Sequence, residues 1–228
     1  MKGNETGRLR ENPAQAMKLV VAVGLSLVAA WLLCRPFANP DFKAQKKAFA
    51  SLGEFAAEEF FKLVPGGRVQ TIYDVPDQAA GRDNRSANRI KLKSVQASAF
   101  KKHLSTLGKY SFAPDVRLSR GALAMNSEWP TGMFQKLLDT PDTTLVLFSS
   151  LPTLDSSQQQ LIHYRTRKIV VVGMTLPEVK AAVQSRIVQL AISNRIPAPP
   201  GPPGEETPEA WARRVYAVLT PESAETLR

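Results

Sequence analysis

The sequence predicts an α/β protein, an open three-layer sandwich with a mostly parallel sheet, preceded by a single transmembrane helix. Three observations predict it. Helix-like and strand-like segments alternate from residue 42 to 195, which implies a sheet covered by helices. Within that stretch, Lys168 to Gly173, KIVVVG, is a continuous apolar run ended by glycine, as expected of a central parallel strand. Ahead of it, Leu19 to Cys34, LVVAVGLSLVAAWLLC, carries no charge and is closed by Lys18 and Arg35.

That run makes about 24 Å of helix against a hydrocarbon core of about 30 Å. Lys18 and Arg35 snorkelling to the interfaces make up the difference. A cleaved secretion signal is disfavoured because Pro36, not a small residue, stands three before a cut after Ala38. A buried core helix is disfavoured by the charge on both flanks. The expectation is a polar arm at 1–17, a retained anchor at 18–37 and a bacterial inner-membrane protein whose large domain is periplasmic. The positive-inside bias is nearly balanced, so only the shortness of the arm favours that orientation. Cys34 is the one cysteine, which excludes an internal disulfide.

The α/β domain is expected over 42–195. Phe42 to Leu63 repeats apolar residues at helical spacing and stops at Pro65, Gly66 and Gly67. RVQTIYD follows as a strand ending at Asp74, then a long polar loop over 75–89. Ile90 to Leu92 reads as a small strand, and a helix capped near Ser94 runs to Leu107. Tyr110 to Leu118 is strand-like, with Pro114 arguing for an edge. Trp129 and Pro130 enter a helix over Thr131 to Leu138, and TTLVLFSS is strongly strand-like. A short helix over Ser156 to Tyr164 precedes KIVVVG, and a helix from Pro177 to about Ser193 follows it. Residues 196–206 pack prolines around glycines as a semi-rigid spacer. Thr207 to Leu219 is an amphipathic helix with Thr207 as cap and Pro208 at its first position. Its Trp211, Val215 and Tyr216 share a face that either docks on the sheet or binds a partner.

Net charge is +10, with basic residues recurring at Arg82, Arg85, Arg89, Lys101, Lys102, Arg165, Arg167 and Lys168. Such clusters suit anionic lipid head groups or an acidic partner. Nucleic-acid binding is not expected, since no zinc spacing or interleaved aromatics accompany the charge. The natural binding place in an open α/β sheet lies beyond the carboxyl ends of the strands, which nominates Asp74, Arg120, Ser149, Ser150 and Gly173 for a small polar solute. Catalysis is not expected. Ser150, Asp155 and His163 fall in a hydrolase-like order, but no nucleophile elbow surrounds the serine. With two histidines and one cysteine in the anchor, neither a metal nor a cofactor is expected.

The passages LGEFAAEEFFKL, PGGRVQTIYD, GMFQKLLDTPDTTLVLFSSLP and KIVVVGMTLPEVKAAVQSRIVQLAIS resemble one lobe of the class I periplasmic sugar-binding proteins and the related regulator ligand domains, over roughly Lys46 to Arg195. Members of that family bind solute between two such lobes. This chain has length for about one, so the resemblance implies a cleft that is absent or needs a second subunit. The function expected is a membrane-anchored, non-catalytic accessory or scaffolding subunit working with other membrane or periplasmic protein subunits. The alternative is a membrane-tethered sensor or solute-binding component.

Overall fold

The continuous apolar runs set the centre of the sheet. The computed structural model describes residues 40–76, 84–120, 129–164, 167–195, 198–199, 201 and 206–226. In chain order these form α1 (Pro40–Leu63), β1 (Gly67–Pro76), α2 (Asn84–Leu107), β2 (Tyr110–Phe112), β3 (Val116–Arg120), α3 (Met133–Asp139), β4 (Thr143–Phe148), α4 (Ser156–Tyr164), β5 (Ile169–Thr175), α5 (Leu176–Gln184), β6 (Leu190–Asn194), α6 (Pro208–Val215), β7 (Tyr216–Leu219) and α7 (Pro221–Thr226). The order across the sheet is β2-β1-β4-β5-β6-β7, with β3 also pairing β1. All pairs are parallel except β6 with β7.

Alternating side chains of the central strands feed two cores. Val146, Phe148, Val170 and Val172 face Phe55 and Phe60 of α1, Phe100 and Leu104 of α2, and Ala212 of α6. Leu145, Leu147, Ile169 and Val171 face Phe134 of α3, Ile162 of α4, Val183 of α5 and Ala224 of α7. The first core is knitted by edge-on rings, Phe60 to Phe100 at 5.4 Å and Phe100 to Phe148 at 5.5 Å. Gly53 lets α1 and α2 close on each other: a Cβ there would stand 2.3 Å from the Gln96 carbonyl oxygen.

Pro114 interrupts the edge as its missing N–H requires, separating β2 from β3. The break is tied down by Asp115, which accepts from Thr71 and, at 2.7 Å, from Lys101.

Several expectations change. Ile90 to Leu92 lies inside α2, not in a strand. The helix beginning near Pro177 ends at Gln184, and Leu190–Asn194 is a strand. Arg186 supplies the left-handed turn at φ 58°, while the Arg186 and Ile187 N–H groups donate back to Val183 and Ala182 at 2.9 and 3.0 Å. That is a Schellman stop made without glycine. The last amphipathic segment is helical only to Val215, and Tyr216–Leu219 pairs antiparallel with β6, so the sheet is mixed. Trp211 and Val215 pack on the first core, Tyr216 is buried against Trp211 at 5.7 Å, and burial pushes its phenol up to about 12. From the spacer, Glu206 receives Arg214 at 2.7 Å and the Pro199 carbonyl accepts from the same guanidinium.

The membrane reading is corrected as well. The arm at 1–17 and the expected anchor at 18–37, with flanks Lys18 and Arg35, lie outside the described residues. Among the described residues no helix is long and apolar enough to cross a membrane. The long helices α1 and α2 carry Lys and other charges along their length. Over the described residues the fold is therefore an α/β sandwich with a mixed sheet, and none of its helices is a membrane-spanning one. The roles expected of an anchored chain, the scaffolding subunit, the tethered sensor and the single-pass inner-membrane location, therefore find no membrane-spanning helix among the described residues.

Candidate functional site

Strand order decides where a ligand can reach the sheet. From β1 the chain crosses to β2 and β3 on one side and then returns to β4 on the other, so the crossovers reverse between β1 and β4. In open α/β sheets the crevice beyond the carboxyl ends at such a point is the binding place. Tyr73 pairs with Phe148 in the register, so the next residues, Asp74 and Ser149, meet there. The Ser149 hydroxyl donates to Asp74 Oδ1 at 2.8 Å. Ser149 is buried and Asp74 half-buried, so the pair sits at the lip of the core.

Ser150 follows with its carbonyl accepting from the Trp129 indole N–H at 3.0 Å. Trp129 is buried and meets Phe134 edge-on at 5.2 Å, so this corner is rigid. Arg120 ends β3 opposite Pro76, the last residue of β1. One strand over, Gly173 lies in a register shift between Val172 and Met174 with φ 81°, a conformation that only glycine adopts without strain. A Cβ at Gly173 would stand 3.2 Å from Lys93 Nζ and 3.8 Å from Gln96 Nε2. Of the residues nominated from sequence, Asp74 and Ser149 are brought into contact, and Ser150 and Gly173 flank them on the same end of the sheet.

Lys93, which the sequence offers only as one of a basic cluster, and Gln96 are not among the residues nominated for the site. Both ride on α2, where they look like ordinary members of a polar helix face. Gln96 is fully buried, and among the described residues neither its amide nitrogen nor its amide oxygen has a hydrogen-bond partner. An orphaned buried amide costs about 1–3 kcal/mol. It marks a polar spot behind Gly173 that the folded chain leaves unsatisfied. The start of α5 offers less, since the Thr175 N–H already donates to Glu178 at 3.0 Å.

The hydrolase-like trio does not assemble. Asp155 caps α4, accepting from Ser157 at 2.6 Å and from the Gln158 N–H at 2.8 Å. These hydrogen bonds hold its carboxyl below the usual range. His163 lines a groove at the opposite, amino-terminal end of the sheet. Among the described residues no group of three or more His, Cys, Asp or Glu is placed to hold a metal.

No protein-family model and no curated protein matches the sequence. Solved structures do. A structure titled as a XylFII–LytSN complex matches 77% of this chain and 60% of that chain at 12% identity and a TM-score of 0.47. The XylFII molecule itself matches 64% and 48% at 14% identity and a TM-score of 0.41. A substrate-binding protein of a sugar ABC transport system from Bordetella parapertussis matches 78% and 57% at 14% identity and a TM-score of 0.45. The chain resembles a lobe of the periplasmic sugar-binding proteins. It spans about half to three fifths of the length of these structures, and at such identity the likeness is one of fold.

Proposed function

We propose that this chain is a non-catalytic solute-binding lobe that takes a small hydroxyl-bearing solute at the carboxyl ends of β1, β4 and β5. The hydrogen-bonded Asp74–Ser149 pair at the crossover reversal carries the reading. A carboxylate accepts hydrogen bonds from solute hydroxyls, and a serine hydroxyl both donates and accepts. Arg120, Ser150 and Gly173 stand at the rim of the same end, and the orphaned Gln96 amide beside Lys93 adds polar capacity behind it. The end of a single sheet covers only one side of a solute, whereas small-molecule sites bury most of the ligand surface. A second protein lobe or subunit that closes over the solute is therefore the expected partner.

Thermal unfolding of the full chain against a panel of pentoses, hexoses and polyols tests this. A solute at about a hundred times its Kd stabilises the native state by about 2.7 kcal/mol. One member of the panel is expected to raise the Tm saturably, and Asp74→Asn and Ser149→Ala to abolish the rise. A panel without effect, or a rise that both variants retain, would overturn the reading.

A further inference from the structure

The opposite end of the sheet carries two open grooves, and they are basic. One groove, of about 510 Å³, lies at the starts of β1 and β4 and is lined by Gly66, Gly67, Arg68, Asp142, Thr144 and Lys168. A second, of about 320 Å³, lies below β5 and β6 and is lined by His163, Lys168, Arg186, Gln189 and Glu222. Arg167 and Lys168 line both, so the two grooves adjoin along the sheet end. Arg167 forms a fixed wall between them. Its buried guanidinium donates to the carbonyls of Leu138, Thr140 and Thr143.

Cations outnumber acids along the two grooves, with Arg68, Arg167, Lys168 and Arg186 against Asp142 and Glu222. Arg68 and Lys168 are exposed, and among the described residues no ion pair or side-chain hydrogen bond engages either. Glu222 is exposed as well, and backbone and Thr220 hydrogen bonds and the charge of Arg186 keep its carboxyl below the usual range and so negatively charged.

We propose that the amino-terminal end of the sheet is a docking groove for an extended acidic segment of a partner protein, with Arg68, Lys168 and Arg186 receiving its carboxylates. Charge complementarity selects the occupant. Cations spaced along an adjoining pair of grooves match carboxylates spaced along a chain. The concave shape favours a strand of peptide over the broad face of a bilayer, which meets basic residues on protruding surfaces. Among the described residues lining the grooves, no stack of aromatic side chains is present for nucleobases. The site is independent of the solute reading, because no residue is shared with the carboxyl end.

Fluorescence anisotropy of a labelled oligoglutamate peptide with the full chain tests the groove. Saturable binding at low salt is expected, weakening as salt screens the charges. The double substitution Arg68→Glu/Lys168→Glu is expected to weaken it at least about tenfold. Asp74→Asn is expected to bind like the parent, and an oligoglutamine peptide not to bind. Both reversed residues are exposed, so circular dichroism should be unchanged; if that pair misfolds, Arg186→Glu alone supplies the same comparison. Absence of saturable binding, binding that survives the reversals, or binding to phosphatidylserine vesicles without binding to the peptide would overturn the proposal.

Discussion

The two ends of the sheet are built differently. At the amino-terminal end the polar groups are matched to backbone: Arg167 holds three carbonyls, Gln189 receives the Ile169 N–H at 2.6 Å and donates to the Arg186 carbonyl at 2.7 Å, and the Tyr110 hydroxyl donates to the Val64 carbonyl. At the carboxyl-terminal end the chain keeps a side-chain pair, a left-handed glycine in a register shift and an amide with no partner. The first end is tied to backbone through Arg167 and Gln189, although among the described residues Gln70 Oε1 and His103 Nε2 also lack hydrogen-bond partners, and the second leaves the whole Gln96 amide unused. Stability and recognition draw on different sets of hydrogen bonds, and local departures from full satisfaction are expected where a ligand binds.

The contrast is broken most forcefully at the tied end. Arg167→Met strands three carbonyls that were bonded and should cost about 3 kcal/mol, taking about 1 kcal/mol for each. Urea unfolding reads the loss, and an unchanged midpoint would mean that the amino-terminal end is not held this way. Gly173→Ala comes next, at about 1–3 kcal/mol, because alanine at that φ is strained and its Cβ meets Lys93. Its solute response should vanish as well.

Gln96→Met should act in the opposite direction. Replacing an unsatisfied buried amide with an apolar side chain of similar size removes its desolvation penalty, so stability should rise by about 1–2 kcal/mol. Solute-induced stabilisation should fall in the same variant. A loss of stability would instead reveal a partner for the amide. Ser149→Ala should cost only about 1 kcal/mol, since one hydrogen bond is lost at a half-open site.

The smallest expected effect is a pH dependence at Asp115. Burial pushes this carboxyl up, but hydrogen bonds from Lys101 and Thr71 and the nearby charges of Lys101 and Arg117 outweigh it and hold it below the ordinary value. A carboxyl lowered in the folded state lends stability that is complete above its unfolded value and is lost as pH falls through the folded one. The Tm of the parent should therefore fall more steeply below the usual carboxylate range than that of Asp115→Asn. Parallel curves would remove Asp115 from the acid response.

The sequence made much of the carboxyl-terminal end legible and little of the amino-terminal one, for physical reasons. Leu145 to Phe148 and Ile169 to Val172 are apolar throughout because both faces are covered, and the residues that follow them announce the polar rim. Asp74 and Ser149 followed directly from where those runs stop. Leu190–Asn194 was hidden because its apolar residues continue the spacing of α5, and the stop between them uses Arg186 where glycine would have signalled a turn. Tyr216–Leu219 was hidden in the same way behind α6. Gln96 gave no signal at all, since a glutamine on a helix looks exposed until the tight α1–α2 contact at Gly53 buries it. The basic grooves draw Arg68, Lys168 and Arg186 from separate segments, and only the sheet brings them together.

Backbone amide chemical-shift mapping during titration with the stabilising solute measures the solute site most directly. Saturable shifts concentrated at Asp74, Ser149, Ser150 and Gly173, with Gly67 and Lys168 unmoved, are the predicted result. Shifts centred on Gly67 and Lys168, or none at the carboxyl-terminal end at saturating solute, would contradict a solute-binding lobe at this end of the sheet.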